Sequence, residues 1–544
     1  MKHLPLFLLL IVMPMTAQDS ITTNVVRNAE TMIGLRFSEA DRESLLGDVQ
    51  GQRESFGRLR AVPLPNSIVP SLLFNPIPFG KIIPQRKSIV APAGVKDAPL
   101  PESDERIAFA SVGELALWIR TKRLSSERLT RIYLDRIKRY QPMLQCIVTV
   151  TESLAIAQAQ RADREIAAGK YRGPLHGIPY GAKDLLSTKM YPTTWGSVPY
   201  RTQQFSEDAT VITKLEEAGA VLIAKTALGE LAWGDVWFGG KSKNPWDTTQ
   251  GSSGSSAGSA SGTAAGLFAF SIGSETYGSI VSPSTRCGVT GLRPTYGRVS
   301  RYGAMALSWS MDKIGPICRT VEDCALVLQA IAGPDPKDQT LYDMPFVYEP
   351  KRTELKGLRI GYLKSDLDSA KSGKQFNDAV LEQLRALGAV LIPVELPAFP
   401  VDDIAIMLSA ESAAAFDELT RSGKDDLLVR QIKNAWPNSF RASRFITAVE
   451  YIQASRVRQL LIQEMERTMR WIDVYVGPSL EGNSLLLTNL TGHPSITVPS
   501  GFTSAGHPVS ITFTGQLFGE GTLLSVAKKY QDATGHHVKH PVLP

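Results

Sequence analysis

A serine- and glycine-rich run, QGSSGSSAGSASGTAAGLFAFSIGSETYGS from Gln250 onward, constrains the fold of this chain more than any other segment. A flexible Gly/Ser linker would lack apolar periodicity, whereas alanines and large apolar residues accompany these glycines. Glycine recurs at every fourth position from 254 to 266, which predicts a helix with one smooth face that another backbone can approach closely. Residues 268–272 then predict a short buried strand, followed by a tight glycine-containing turn.

Two serines of this run, Ser255 and Ser279, stand in turn-like settings on either side of the predicted helix and strand. Such an arrangement can bring both hydroxyls to one site, and successive backbone N–H groups of the second turn can point at one position. The run therefore indicates the architecture of a nucleophile rather than that of a linker.

Further motifs extend this pattern in both directions. NPWD begins at Asn244, GLRPTYGRVSRYG follows from Gly291, and Lys183 lies upstream in LHGIPYGAKDLL. With these motifs the chain resembles the amidase signature enzymes, from about residue 111 to the NLTGHPSITVPSGF stretch near the C terminus. The resemblance implies an α/β fold in which a large, mixed and twisted β-sheet is flanked by many α-helices. It also implies an amidase that hydrolyses a carbon–nitrogen amide bond and releases a carboxylate and ammonia or an amine.

The resemblance also assigns catalytic roles. Ser279 is the nucleophile that forms the acyl-enzyme, Ser255 is a bridging serine in a cis peptide, and Lys183 is the general base. A serine hydroxyl needs a base because its own pKa lies far above neutrality. Lysine can act as that base only when it is neutral, and burial among apolar residues lowers a lysine pKa. The apolar neighbourhood of Lys183 favours this, and Asp184 opposes it unless its side chain points away.

An oxyanion hole is implied at the second turn, where backbone N–H groups would stabilise the charged oxygen of the transition state. The resemblance assigns it to Thr276, Tyr277, Gly278 and Ser279, with Ser256 in a supporting role.

The turn departs from the family pattern. Where many members read GTDTGGSIR, this chain reads GSETYGSIV, and Ala257 also replaces a glycine. Glu275 stands for an aspartate, Tyr277 for a glycine and Val281 for an arginine. None of these changes removes a predicted catalytic side chain, but Tyr277 predicts a narrower or more aromatic pocket.

Other motifs compete with this interpretation. GSSAG at residues 254–258 fits the G-x-S-x-G elbow of α/β hydrolases, with Ser256 as nucleophile and His493 or His507 as partner. An elbow needs a hydrophobic strand before it, and the preceding KNPWDTTQ has little apolar character. Seven histidines without a paired pattern give no sign of a metal site, so His176 is interpreted as structural. We expect no metal and no cofactor.

Short apolar runs predict the strands of the sheet, and they alternate with helical patterns such as ERLTRIYLDRIKRY from Glu127. The predicted strands are AVLIA from Ala220, RIGYL from Arg359, VLIPV from Val390 and VYVGP from Val474.

The N-terminal region predicts export and an extension. Residues 1–17 have the charge, apolar stretch and small residues of a secretory signal, which predicts a periplasmic or extracellular protein. Residues 18–104 predict a helical and then proline-rich extension, which either wraps over the body or presents a surface to a partner. Residues 105–544 form the predicted catalytic domain, and no later stretch is long and apolar enough to span a membrane.

Composition limits the partners. The net charge is only +6 and the basic residues are dispersed, so nucleic-acid binding is not expected. Four cysteines do not form a disulfide framework in a chain of 544 residues. The expected partner is a small-molecule or peptide amide substrate, and the oligomeric state stays open between monomer and homodimer. Two alternatives remain: a glutamine-hydrolysing amidotransferase A-type subunit that needs a partner, and an inactive secreted scaffold.

Overall fold

The structure of the chain is a computed structural model that describes residues 21–83, 87–95, 97–369 and 373–544. The predicted signal segment, residues 1–17, lies outside these ranges. The chain divides into two compact units, residues 1–65 and residues 66–544.

From residue 21 onward, the first unit contains two helices, α1 (Thr23–Ile33) and α2 (Glu39–Arg60). Each begins at a side-chain cap, since Thr22 accepts a hydrogen bond from the Val25 N–H and Ser38 forms a capping box with Asp41. The helical character predicted for this region is therefore present, with a break at Gly34.

The second unit contains the β-sheet and the remaining helices. In its described ranges the strands are β1 (Ile89–Val90), β2 (Ile147–Val150), β3 (Pro179–Lys183), β4 (Val221–Thr226), β5 (Val236–Trp237), β6 (Gly240–Lys241), β7 (Lys243–Asn244), β8 (Asp247–Gly251), β9 (Phe270–Glu275), β10 (Thr290–Arg293), β11 (Lys313–Cys318), β12 (Val347–Tyr348), β13 (Arg359–Leu363), β14 (Val390–Val394), β15 (Val474–Pro478), β16 (Ser495–Phe502) and β17 (Pro508–Gly515).

The helices of this unit surround the strands. They are α3 (Asp104–Ala108), α4 (Val112–Arg120), α5 (Ser126–Leu144), α6 (Glu152–Ala167), α7 (Thr210–Glu217), α8 (Ala257–Ala264), α9 (Val281–Cys287), α10 (Val321–Ile331), α11 (Lys364–Ser369), α12 (Lys374–Ala386), α13 (Val401–Ile404), α14 (Ile406–Ala415), α15 (Asp417–Arg421), α16 (Trp436–Ser443), α17 (Ala448–Met469), α18 (Ser484–Thr491) and α19 (Glu520–Thr534), with short 3₁₀ turns at Val198–Tyr200, Glu230–Ala232, Lys424–Leu427 and His536–Val538.

One mixed sheet of eleven strands organises the second unit, in the order β14-β13-β15-β17-β16-β10-β11-β9-β3-β4-β2. Strand β3 is parallel to both of its neighbours, β4 and β9. The pairs β9–β11 and β16–β17 are antiparallel. Helices flank this sheet, and the apolar core lies between them. The predicted mixed α/β architecture is confirmed.

The helix α8 confirms the close approach predicted from its glycines. A Cβ atom on Gly258 would lie 2.0 Å from the carbonyl oxygen of Cys146 and 2.6 Å from the backbone nitrogen of Ala227. The strand that follows was predicted at residues 268–272 but spans Phe270–Glu275. The difference arises because the Leu267 N–H still bonds to the Gly262 carbonyl after the helix ends, so the chain becomes extended only later.

The proline-rich segment from residue 66 contributes to the second unit. The Asn66 side chain exchanges two hydrogen bonds with the backbone of Ala306, at 2.7 and 2.8 Å. Phe74 packs edge-to-face on Tyr296 and lies under the guanidinium of Arg458 at 3.6 Å. Other apolar residues of the segment are exposed, namely Ile68, Val69, Leu72, Leu73, Phe79 and Ile82. A partner surface on these residues stays a prediction.

Candidate active site

The topology of the sheet assembles the predicted site at one edge. Strands β3 and β9 are parallel neighbours with Ala182 opposite Ile272, so their carboxyl ends meet at the same edge. Lys183 is the last residue of β3, and Glu275 is the last residue of β9. Ser255 and Ser256 immediately precede α8, and Ser279 lies in the turn between β9 and α9.

Lys183 is completely buried and surrounded by serine oxygens. Its amine, Nζ, lies within hydrogen-bond distance of Ser255 Oγ at 2.7 Å, Ser274 Oγ at 2.9 Å and Ser256 Oγ at 3.1 Å. The peptide bond between Gly254 and Ser255 is cis. Sequence reasoning did not identify Ser274, because nothing in the sequence shows that the end of β9 faces this amine.

Burial lowers the pKa of Lys183 to about 7, even though the carboxylates of Asp312 and Glu275 act to raise it. Asp184 does not oppose this shift, because its side chain forms an ion pair with Lys225 at 2.7 Å and accepts hydrogen bonds from Thr194. The amine of Lys183 is therefore substantially neutral near physiological pH, as a general base requires.

The turn of residues 276–279 lies directly beside this amine's serine partners. The carbonyl of Ser279 accepts a hydrogen bond from the Ser256 N–H at 3.1 Å, which joins the two serine-containing segments. Gly278 adopts a φ of +81°, a conformation that favours glycine, and the Tyr277 side chain is 48% exposed. The Thr276 hydroxyl donates to Asp312 at 2.5 Å.

Glu275, one of the departures from the family pattern, fixes both ends of this turn. Its carboxylate accepts hydrogen bonds from the N–H groups of Ile280 at 2.8 Å and Val281 at 2.9 Å, and pairs with Arg293 at 2.8 Å. Burial would raise the pKa of Glu275, but Arg293, the Val281 N–H and Lys313 lower it to about 2. Arg293, which the sequence shows only as part of GLRPTYG, thus places a buried positive charge beside this turn.

The structure does not support Ser256 as the nucleophile of a G-x-S-x-G elbow, because neither the preceding strand nor a histidine partner is in place. β8, which precedes this serine, pairs only with β7 in a two-stranded sheet, so no core strand leads into the turn. His493 bonds to Thr491 through its ring, and His507 lies 3.5 Å from Asp247. The ring of His176 accepts a hydrogen bond from the backbone of Arg172. Ser256 Oγ instead contacts Lys183 and the backbone of Ser274.

Other kinds of site find no support in the described ranges. These residues include no group of three or more His, Cys, Asp or Glu side chains that could hold a metal ion. No helix among them has the length and apolar character needed to cross a membrane. All four cysteines are buried as free thiols.

Comparison with known proteins connects this geometry to a family. Residues 128–485 match the family described as Amidase. The chain is 36% identical to the A subunit of glutamyl-tRNA(Gln) amidotransferase from Carboxydothermus hydrogenoformans, over 80% of this chain and 99% of the relative. The chain belongs to the amidase signature family. As an amidase, it is an amide-hydrolysing enzyme.

Solved structures support the assignment of this chain to the amidase signature family. The native peptide amidase from Stenotrophomonas maltophilia is 30% identical with a TM-score of 0.70, covering 78% of this amidase and 97% of that chain. An amidase family protein from Bacillus anthracis is 28% identical with a TM-score of 0.73, covering 81% and 94%. The mixed sheet with flanking helices is therefore shared with this family.

Proposed function

We propose that this amidase cleaves a small-molecule or peptide amide through an acyl-enzyme on Ser279, with Ser255 as the bridging serine and Lys183 as the general base. The observation that carries the proposal is the 2.7 Å contact between Lys183 Nζ and Ser255 Oγ in a buried site where the lysine pKa is lowered to about 7. A neutral amine at this distance can accept the proton of the Ser255 hydroxyl.

In the proposed reaction, protons are transferred among these three side chains and none is lost. Ser279 Oγ attacks the amide carbon while its proton moves to Ser255 and the Ser255 proton moves to Lys183. The N–H groups of Thr276, Tyr277 and Gly278 stabilise the oxyanion. When the carbon–nitrogen bond breaks, the proton returns from Lys183 through Ser255 to the departing nitrogen. Water then attacks the acyl-enzyme by the same route, which releases the carboxylate and restores Ser279.

Labelling of the nucleophile tests this assignment. The purified protein is treated with a serine-reactive fluorophosphonate and the modified peptide is mapped by mass spectrometry. We expect modification at Ser279 and its loss in Ser279→Ala. Modification at Ser256 that persists in this variant would contradict the assignment and favour the elbow interpretation.

A second candidate is a glutamine-hydrolysing subunit that needs a partner. It is favoured by the curated relatives, which are named as the A subunit of glutamyl-tRNA(Gln) amidotransferase. Ammonia release from glutamine and from simple amides, measured with the isolated chain, separates the two candidates. Turnover of simple amides without added protein favours the self-contained amidase. The inactive scaffold draws no support from membership of a family of amide-hydrolysing enzymes.

The cellular location is also a proposal. Export, which the first 17 residues predict, would be tested by fractionating cells that express the full chain and a variant lacking this segment. We expect the full chain to be exported and the shortened chain to be retained.

A further inference from the structure

A cavity of about 80 Å³ adjoins the hydrogen-bond network of Lys183. Ser274 and Thr276 form the wall nearest to that network, and Arg301, Trp309 and Lys313 line other parts of the cavity. Ser274 is itself a hydrogen-bond partner of Lys183. The cavity therefore lies next to the proposed reaction centre, but Arg301, Trp309 and Lys313 take no part in the proposed proton transfers.

Three nitrogen donors on this cavity are buried and lack a partner among the described residues. Arg301 Nε, Trp309 Nε1 and Lys313 Nζ are all buried, and none has a hydrogen-bond partner within the described part of the chain. Buried polar groups are nearly always hydrogen-bonded, so three unpaired donors around one cavity require an explanation. An acceptor inside the cavity would satisfy all three.

The carboxylates of Asp312 and Asp338 line the cavity, and neither pairs with the three donors. Asp338 already accepts hydrogen bonds from the Arg301 backbone N–H at 2.7 Å and from the backbone and hydroxyl of Thr340. Asp312 already accepts hydrogen bonds from Thr276 Oγ1 at 2.5 Å and from the N–H groups of Leu307 at 2.8 Å and Ser308 at 3.0 Å.

Glu275 pairs with Lys313 in the register of β9 and β11. Its carboxylate already accepts hydrogen bonds from Arg293 and from the N–H groups at the start of α9. None of these three carboxylates reaches Lys313 Nζ within hydrogen-bond distance.

We propose that this cavity binds the carboxylate group of an anionic ligand, with Arg301 Nε, Trp309 Nε1 and Lys313 Nζ as its hydrogen-bond donors. A carboxylate presents two oxygens with several lone pairs and no donor, which matches a set composed only of donors. The basic side chains on this cavity, Arg301, Lys313 and Lys337, outnumber the carboxylates Asp312 and Asp338, a balance that favours an anion. A volume of about 80 Å³ accommodates a carboxylate group.

Binding of such a ligand would change the pKa of Lys313. Burial and the cations Arg293 and Arg458 lower the pKa of Lys313 well below its ordinary value, against the opposing effect of Glu275 and Asp312. A bound carboxylate would raise this pKa again, because an opposite charge favours the protonated amine. In either state the amine donates hydrogen bonds to the ligand.

The carboxylate has two possible sources. It is either the second carboxylate of a substrate whose acyl group carries the amide at one end and the acid at the other, or a free carboxylate that binds beside the reaction centre. The first source rests on the proposed function, and the second does not. A binding experiment and a kinetic experiment separate them.

Binding is measured by isothermal titration calorimetry of the full chain with glutarate. Lys313→Met and Trp309→Phe each remove one donor and retain most of the side-chain volume. Trp195→Phe is the matched control, because Trp195 Nε1 is also buried without a partner in the described ranges but does not line the cavity. We expect glutarate to bind at least about tenfold more weakly to each cavity variant and unchanged to the control.

The binding experiment has clear contrary outcomes. An absence of glutarate binding to the wild type, or an affinity that neither cavity variant changes, overturns the site and leaves ordered water as the occupant of the cavity. If Lys313→Met does not fold, Trp309→Phe alone decides, since it removes only one N–H group from an aromatic side chain.

Kinetics identify the source of the carboxylate. Glutaramate and pentanamide have the same chain length and amide but differ in the terminal carboxylate. We expect the wild type to prefer glutaramate in kcat/KM by about tenfold or more, and the two cavity variants to lose this preference. Equal kcat/KM values together with Lys313-dependent glutarate binding support the free carboxylate. Such binding without turnover of any amide upholds the cavity site while contradicting the proposed function.

Discussion

Lys183 is the residue whose ionisation should control the rate. With a pKa of about 7 and the neutral amine as the proposed base, activity requires the deprotonated form, which increases as the pH rises through 7. We expect kcat/KM to rise about tenfold per pH unit well below 7 and to level off above about pH 8. A pH–rate profile that is flat between about pH 5.5 and 9 would contradict this role.

Replacing the same side chain tests the base directly. Lys183→Met should lower amide turnover by about a thousandfold or more, because the attacking serine loses its proton acceptor. The fold should be retained with a loss of about 1–3 kcal/mol in stability, since methionine keeps the side-chain length but leaves buried serine hydroxyls without this partner. Steady-state kinetics and thermal unfolding of the same preparation check both expectations. Retained turnover would exclude Lys183 as the base, and collapse of the fold would leave Ser255→Ala as the deciding variant.

Glu275 is expected to contribute to stability rather than to proton transfer. Glu275→Gln leaves the Arg293 charge buried without its counterion, which should reduce the free energy of unfolding by about 3–5 kcal/mol in denaturant titrations near pH 7. Because folding lowers the pKa from 4.5 to about 2, this contribution is complete above about pH 4.5 and is lost as the pH falls towards 2.

The control for Glu275 is an exposed ion pair. Glu207→Gln removes the partner of Lys337, and both side chains are about half exposed, so a much smaller change is expected. Equal changes in the free energy of unfolding would show that burial does not increase the contribution of the Glu275–Arg293 pair to stability.

At the scale of the element, α8 depends on its glycines for packing. Alanine normally favours a helix over glycine by about 1 kcal/mol, but a Cβ at Gly258 would lie 2.0 Å from the Cys146 carbonyl oxygen. Gly258→Ala should therefore destabilise the protein by about 1–3 kcal/mol or more. Gly51→Ala in α2 is the control, because nothing lies within 4 Å of its added Cβ. Thermal unfolding checks both, and a stabilised Gly258→Ala would contradict the close approach.

Element-level prediction from the sequence succeeded where local chemistry decides. Strands β13, β14 and β15 coincide with their predicted runs because short apolar, β-branched segments between helices have few other options. The start of β9 was misplaced, because the end of α8 depends on a helix-terminal hydrogen bond that its small residues do not reveal.

At the site, too, local motifs predict some residues, whereas others depend on how the strands pair. Lys183, Ser255 and Ser279 were identified through their motifs, and their catalytic roles stay predictions. Ser274, Arg293 and Asp312 were missed, because their positions at the site depend on the pairing of β9 with β11 and of β10 with its neighbours. Strand order at this distance in sequence is a tertiary property that no local pattern contains.

For the whole molecule, the second unit contains every strand of the eleven-stranded sheet and every proposed catalytic residue. A chain that begins at residue 66 should therefore keep its unfolding temperature within a few degrees and its activity within about twofold, because no site or core contact within this unit is removed. A chain that begins at residue 84 should be clearly less stable. It loses the Asn66 bonds to Ala306, the Phe74 contacts with Tyr296 and Arg458, and the ion pair of Lys81 with Glu466.

Comparing the two truncations by thermal unfolding and fluorophosphonate labelling locates the boundary of the catalytic body. If removal of residues 1–65 already abolishes labelling, the first unit is required for the active fold. If removal of residues 1–83 changes neither stability nor labelling, the contacts of residues 66–83 contribute little. We expect only the second truncation to be destabilising, because it alone removes the hydrogen bonds of Asn66 and the aromatic and cation–π contacts of Phe74.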